Sequence, residues 1–189
     1  MTNIISRCLA VIFAGIVLYG CVIYKTKYKV MKYKLDFYTQ YNQFTICDSK
    51  YHTEANSAKF ETVEAIADRM GVEEDQIRVG IECYGHVKGE LEFLGNANTS
   101  INYSLYNHIV EGGFETKSGI IQLQDCPNSF VELEMKVKPG RYRVRVYSSN
   151  LKGFDTDEDE GDDFYKIEIW PDISMDRRVL KRLIQLDDK

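Results

Sequence analysis

From Phe130 to Tyr147 the chain alternates apolar and polar side chains almost without a break. Val131, Leu133, Met135 and Val137 fall on one side, and Glu132, Glu134, Lys136 and Lys138 on the other. Beyond Pro139-Gly140, Tyr142, Val144 and Val146 face one way and Arg141, Arg143, Arg145 and Tyr147 the other. A period of two is what a half-buried strand requires, because successive side chains point to opposite faces of a sheet. With Pro139-Gly140 as the turn, the two strands form a hairpin that pairs Lys138 with Arg141, Met135 with Val144 and Glu134 with Arg145. Pro then Gly suits a type II turn, which does not match the twist of a hairpin, so a longer loop stays open. A third strand, Tyr165–Trp170, follows an acidic loop.

The rest of the chain is read the same way. Residues 34–48 alternate imperfectly and predict one or two strands broken near Asn42. Residues 77–94 return to strand character, with Gly85 marking a turn, and Ile120, Ile121 and Leu123 make a strand that stops at Cys126-Pro127-Asn128. Gly112, Gly113 and Gly119 read as hairpin and bulge glycines. Two stretches change period. In Phe60–Met70, Val63, Ile66, Ala67 and Met70 recur at helical spacing, with Thr62 as cap and Gly71 as the stop. In Ser174–Leu186, Val179, Leu180, Leu183 and Ile184 form the stripe of a basic helix capped by Ser174. The expected architecture is mainly β: an antiparallel β-sandwich over residues 31–171 with a small helical insertion, then a short C-terminal helix over 172–189.

Composition adds an asymmetry. The formal net charge is −5, but residues 1–30 carry Arg7, Lys25, Lys27 and Lys29 and no acid. The remaining 20 basic and 29 acidic residues give −9. An acidic body argues against direct nucleic-acid binding through phosphates and suits a basic protein partner. Residues 8–24 carry no charge. Three readings of this segment stay open: a membrane anchor, a signal or lipoprotein signal ending at Cys21, and an over-extended start upstream of Met31. Lys25, Lys27, Lys29, Lys32 and Lys34 on its C-terminal side favour keeping the folded part in the cytoplasm or on the cytoplasmic face of the membrane. Of the five cysteines, Cys8 and Cys21 lie in this segment. Cys47, Cys83 and Cys126 have no metal-knuckle or redox spacing. They read as small core or surface residues, with a disulfide among them if the domain is exported.

Asp155, Asp157, Glu158, Asp159, Glu160, Asp162 and Asp163 crowd one loop. An EF-hand would need Gly at the sixth position and Glu at the twelfth; counting from Asp155, those hold Glu160 and Lys166. A looser Ca²⁺ site, a solvated loop, or a surface that engages a basic partner are the three readings. His52, His86 and His108 sit in no nucleophile motif, and Ser118 and Ser148-Ser149 lack an elbow sequence. No enzyme is expected. Cys83 and His86 are explained by a strand–turn position. Arg141, Arg143 and Arg145 with Tyr147 could meet an anion or a single strand, but Glu132 and Glu134 point to a salt-bridged solvated face.

Three stretches taken together resemble the competence protein J family of bacterial nuclease inhibitors. They are Tyr41-Asn-Gln-Phe-Thr-Ile, Val110-Glu-Gly-Gly-Phe with Ser118-Gly-Ile-Ile, and Val137-Lys-Pro-Gly-Arg-Tyr-Arg-Val with Asp163-Phe-Tyr-Lys-Ile. The matching positions are Tyr41, Gln43, Phe44, Gly113, Gly119, Pro139, Gly140 and Tyr142, all residues of a structural kind. The resemblance implies a small acidic β-rich protein that blocks a nuclease. The apolar N-terminus, the insertion around residues 50–105 and the basic strand face depart from that pattern. The function expected is a non-enzymatic inhibitor or immunity-type protein, without cofactor, that meets a nuclease or toxin through the acidic loop. The alternative is a tethered or exported ligand-binding sandwich with Ca²⁺ at the same loop.

Overall fold

The computed structural model of the protein describes residues 30–51, 60–153 and 156–183. Among them the chain forms one short α-helix, one 3-10 turn at Tyr103–Leu105 and eleven strands. These are β1 (Met31–Tyr38), β2 (Gln43–Asp48), α1 (Val63–Ala67), β3 (Met70–Val72), β4 (Gln76–Gly80), β5 (His86–Phe93), β6 (His108–Thr116), β7 (Ile120–Gln124), β8 (Val131–Lys136), β9 (Gly140–Ser149), β10 (Phe164–Pro171) and β11 (Arg178–Lys181). A six-stranded sheet has the order β1-β5-β10-β9-β6-β11, and a five-stranded sheet the order β3-β4-β2-β7-β8. Every pairing is antiparallel except β5 with β10, which is parallel. The mainly β, antiparallel-rich architecture is the one that the alternation predicts.

Both sheets turn their apolar face to one core. Leu35, Val87, Leu91, Val144, Val146, Ile167 and Ile169 come from the six-stranded sheet, and Phe44, Ile46, Ile77, Val79, Ile121, Leu123 and Met135 from the other. Phe37 and Phe44 meet edge to face across it, with ring centroids 5.8 Å apart. Tyr41 and Asn42 turn the chain between β1 and β2, both with positive φ (59° and 53°).

The hairpin expected over 130–147 does not form. β8 pairs with β7 in the five-stranded sheet, whereas β9 lies between β6 and β10 in the other. Met135 and Val144 both reach the core, but from opposite sheets. Glu134 stands opposite Gln122, and Arg145 opposite Glu111 and Glu168. Alternation specifies which face of a strand is buried; it does not name the neighbour. Pro139-Gly140 is the point where the chain crosses between sheets.

Both helix predictions need correction. Thr62 does cap α1, accepting from Ala65 N at 3.0 Å, but the helix ends at Ala67 and its supposed core residues Val63 and Ile66 are exposed. Arg69 takes the left-handed conformation (φ 51°), and Met70 and Gly71 enter β3 against β4. Gly71 is glycine because a Cβ there would run into Phe60. At the C-terminal end, residues 178–181 are a strand on the edge of β6, with Arg178 opposite Glu111 and Val179 opposite Val110. Ser174 caps no helix; its hydroxyl accepts from Arg143 Nη1 at 3.1 Å. The long strand β6 offers a row of unpaired backbone groups, and pairing with it outweighs the helical period of the tail. Ile184 lies outside the described residues.

Gly112 and Gly113 are not hairpin glycines. They lie within β6, opposite Val144 and Arg143. A Cβ at Gly112 would stand 2.7 Å from Met70 Sδ and from Val72 Cγ2, and one at Gly113 would meet Ser174 O. Gly119, at φ 74° between β6 and β7, is a turn glycine as expected.

Candidate functional site

The turn between β4 and β5, residues 81–85, holds the acidic loop in place. Tyr84 N donates to Glu158 O at 2.8 Å, His86 N to Asp159 O at 2.7 Å, and Thr156 N to Glu82 O at 3.0 Å. The loop therefore lies along the turn like a short extra strand. Its two ends are tied to the same turn. The buried Glu82 carboxylate accepts from Lys152 N and Gly153 N, and Asp163 Oδ2 accepts from Glu82 N, Cys83 N and the Tyr165 hydroxyl. Asp163 is buried and faces no solvent, which removes it from any contact surface. Asp155 lies outside the described residues.

Asp157, Glu158, Asp159, Glu160 and Asp162 are exposed. Glu160 is already engaged. It accepts from Lys88 Nζ at 2.8 Å and Tyr38 OH at 2.5 Å, and lies 2.9 Å from His86 Nδ1. Lys88 first, then Tyr38 and His86, hold its carboxyl down to about 2. His86 Nε2 reaches Asp36 Oδ1 at 2.9 Å, so the ring lies between two carboxylates. Burial opposes the imidazolium, but the hydrogen bonds to Glu160 and Asp36 outweigh it and raise the His86 pKa. Tyr38 stacks on the ring at 4.5 Å.

Two aromatic side chains flank this platform. Tyr38 is 58% and Tyr41 57% exposed, and the Tyr41 ring meets that of Tyr84 at 5.9 Å. The charge run marks the loop in the sequence. The partners Asp36, Tyr38, His86 and Lys88 are not marked, because alternation places them on strand faces without showing that β1, β5 and the loop converge. Tyr41 carries the one local signal, an aromatic residue beside the Asn42 chain reversal.

The remaining candidates resolve differently. Arg141 is exposed, but Arg143 and Arg145 are buried and occupied. Their Nε atoms lie 2.9 and 2.6 Å from the two oxygens of Glu111. Arg143 Nη1 donates to the Ser174 and Asp176 carbonyls; Arg145 Nη1 donates to Asn98 O at 2.8 Å and lies 3.3 Å from Glu168. Their salt bridging is with β6 and β10, not with Glu132 and Glu134, and the face is not solvated. His108 is buried, bonded through Nε2 to Asp68 O and through Nδ1 to Leu183 N, and burial lowers its pKa. Cys83 Sγ donates to the His86 carbonyl rather than meeting its ring. Cys47, Cys83 and Cys126 are free thiols. Among the described residues no group of three or more His, Cys, Asp or Glu side chains could hold a metal ion, so the calcium reading finds no donor set there. Among them also no helix is long and apolar enough to cross a membrane; residues 8–24, Cys21 and His52 lie outside them.

No protein-family model matches the chain, and no curated sequence matches it. Two solved structures are similar. One is ComJ from Bacillus subtilis, described as an inhibitor of the DNA-degrading activity of NucA. It is 17% identical, the match covers 76% of this chain and 98% of that one, and the TM-score is 0.56. The other is described as crocagin biosynthetic gene J, at 17% identity, 76% and 97% coverage and a TM-score of 0.45. The chain has a ComJ-like fold. Of the positions that carried the resemblance, Phe44 and Tyr142 are core, Gly119 is a turn and Gly113 a close approach, whereas Tyr41 is exposed.

Proposed function

We propose that this protein is a non-enzymatic, stoichiometric inhibitor of a nuclease, docking on a basic protein surface through the loop 156–162. One observation carries the reading: several exposed carboxylates are held on a hydrogen-bonded turn between two exposed tyrosines. Acidic side chains steer a basic partner into encounter, and aromatic side chains held with few free rotamers supply contact energy after it. Glu160 acts as the anchor of the loop, so Asp157, Glu158 and Asp159 form the contact set, with Tyr38 and Tyr41 beside them. The ComJ-like fold supports this reading, since ComJ is described as inhibiting a DNA-degrading nuclease.

The test is affinity capture with the tagged chain at low salt. The captured fraction is then assayed for DNA degradation before and after elution at high salt. The expected result is a basic protein, silent in the complex and active once released. A capture that yields no basic protein, or one with no nuclease activity after release, overturns the reading.

A further inference from the structure

Among the described residues β8 is an open edge of the five-stranded sheet, and its charges are arranged in an unusual order. The run Glu132-Leu-Glu134-Met135-Lys136-Val-Lys138 is antisymmetric in charge about Met135. All four charged residues are exposed, and among the described residues none makes an ion pair. Glu134 accepts a hydrogen bond from Gln122, its cross-strand neighbour. Exposed charges elsewhere do find partners: Lys32 with Glu92, Lys34 with Asp36 and Lys117 with Glu74.

We infer that the β8 edge is a self-complementary docking surface whose occupant is β8 of a second copy of this chain. An exposed edge offers unpaired N–H and C=O groups to another strand. Val137 N donates to Gly119 O, on the β7 side. By alternation, the backbone groups of Glu134 and Lys136 point to the open side. A two-fold axis at Met135 pairs Glu134 of each copy with Lys136 of the other, as hydrogen-bonded pairs. The same axis sets Glu132 against Lys138. A register irregularity at Leu123/Gln124 leaves Glu132 outside the regular ladder, so Glu134 and Lys136 carry the pairing. An edge protected against pairing carries charges that repel their own copies. Here every cross-strand charge pair attracts, which is the self-complementarity that a two-fold interface demands.

Apolar packing agrees. A groove of about 360 Å³ runs between the edge strands β1 and β8, lined by the apolar Tyr33, Leu35, Phe37 and Leu133 and by the charged Lys32, Lys34, Asp36 and Glu132. Met31, Tyr33, Leu133 and Val137 pack against the core and are only partly buried. Pairing of β8 with its copy extends the five-stranded sheet past this seam, beside these side chains. The inference is independent of the inhibitor reading, since the acidic loop lies on the β4–β5 turn.

The experiment is sedimentation equilibrium of the full chain over a range of concentrations. It uses wild type, Glu134→Lys, Lys136→Glu and an equimolar mixture of the two variants. Wild type is expected to be a dimer that dissociates on dilution. Each single variant sets like charges opposite each other twice, and its dissociation constant rises about tenfold or more. The mixture restores attraction at both positions and is expected to associate as a heterodimer. Unchanged melting temperatures establish that the variants fold. A monomeric wild type, single variants whose dissociation constant matches that of wild type, or a mixture that associates no more tightly than either variant alone overturns the inference.

Discussion

Arg145 Nε lies 2.6 Å from Glu111 Oε1, with both side chains buried on the outer face of the six-stranded sheet. The pair belongs to a row that crosses every strand of that sheet. Lys32, Glu92, Glu168, Arg145, Glu111 and Arg178 are successive cross-strand neighbours. Tyr147 OH donates to Glu168 at 2.6 Å, and Arg145 lies 4.9 Å from the centre of the Trp170 ring. Among the described residues, no buried side-chain nitrogen or oxygen lacks a partner.

Removing Arg145 takes one of two cations from each of two buried carboxylates, leaving Glu111 with Arg143 alone and Glu168 with Lys166 alone. Arg145→Ala should cost about 3–5 kcal/mol. Arg141→Ala, on the same strand but exposed, should cost less than about 0.5 kcal/mol. Urea unfolding of both variants checks this, and equal losses would refute the distinction.

The anchor of the acidic loop should depend on pH from both sides. Glu160 is depressed, so its contribution is present above the ordinary 4.5 and is lost as pH falls towards about 2. His86 is raised, so its contribution is complete below the ordinary 6.5 and is lost as pH rises through the folded value. The anchor is then strongest between 4.5 and 6.5. Hydrogen exchange of the Tyr84 and His86 amides, corrected for intrinsic rates, should show greatest protection in that window. His86→Gln should flatten the alkaline limb; an unchanged limb would mean that the ring does not pin the loop.

Close approach between the sheets makes Gly112 intolerant of a side chain. Gly112→Ala sets a methyl 2.7 Å from Met70 Sδ and Val72 Cγ2, at a cost of about 1–3 kcal/mol. A melting temperature equal to wild type would show that β3 yields instead.

Thiol reactivity should separate the three cysteines. Burial pushes Cys47 up to about 12 and Cys83 up to about 11. Cys126 is only partly covered. In a background with Cys8→Ser and Cys21→Ser, native thiol titration at neutral pH should give one fast equivalent, and Cys126→Ser should abolish it. Three fast equivalents, or none, would contradict the burial pattern.

Neutralising the contact set should slow encounter with the partner rather than hasten its release. Asp157→Asn with Glu158→Gln is expected to lower the association rate several-fold at low salt and to weaken its salt dependence. Tyr38→Ala should act mainly on dissociation. Stopped-flow measurements against the captured partner distinguish the two; a charge variant that alters only the dissociation rate would place the surface elsewhere.

Much of the fold is legible in the alternation of single strands. The inward faces of β5, β8, β9 and β10 follow from period two, because burial of one face is a property of the strand itself. The breaks near Asn42 and at Gly119 are legible too, since each marks a local backbone demand. The acidic loop is visible as composition. What each strand pairs with is not legible. Met135 and Val144 satisfy the same apolar requirement from opposite sheets, so the alternation of residues 130–147 is equally compatible with a hairpin and with a crossing between layers. The tail reads as an amphipathic helix until β6 offers it an edge, and Val63 and Ile66 read as core until Arg69 turns the chain. Residues far apart in the chain decide these outcomes. Only the tertiary structure could show that Arg145 is buried against Glu111 and that Glu160 is an anchor shared by Tyr38, His86 and Lys88. A charge's role is set by which strands stand beside it, and that depends on the packing of the whole chain.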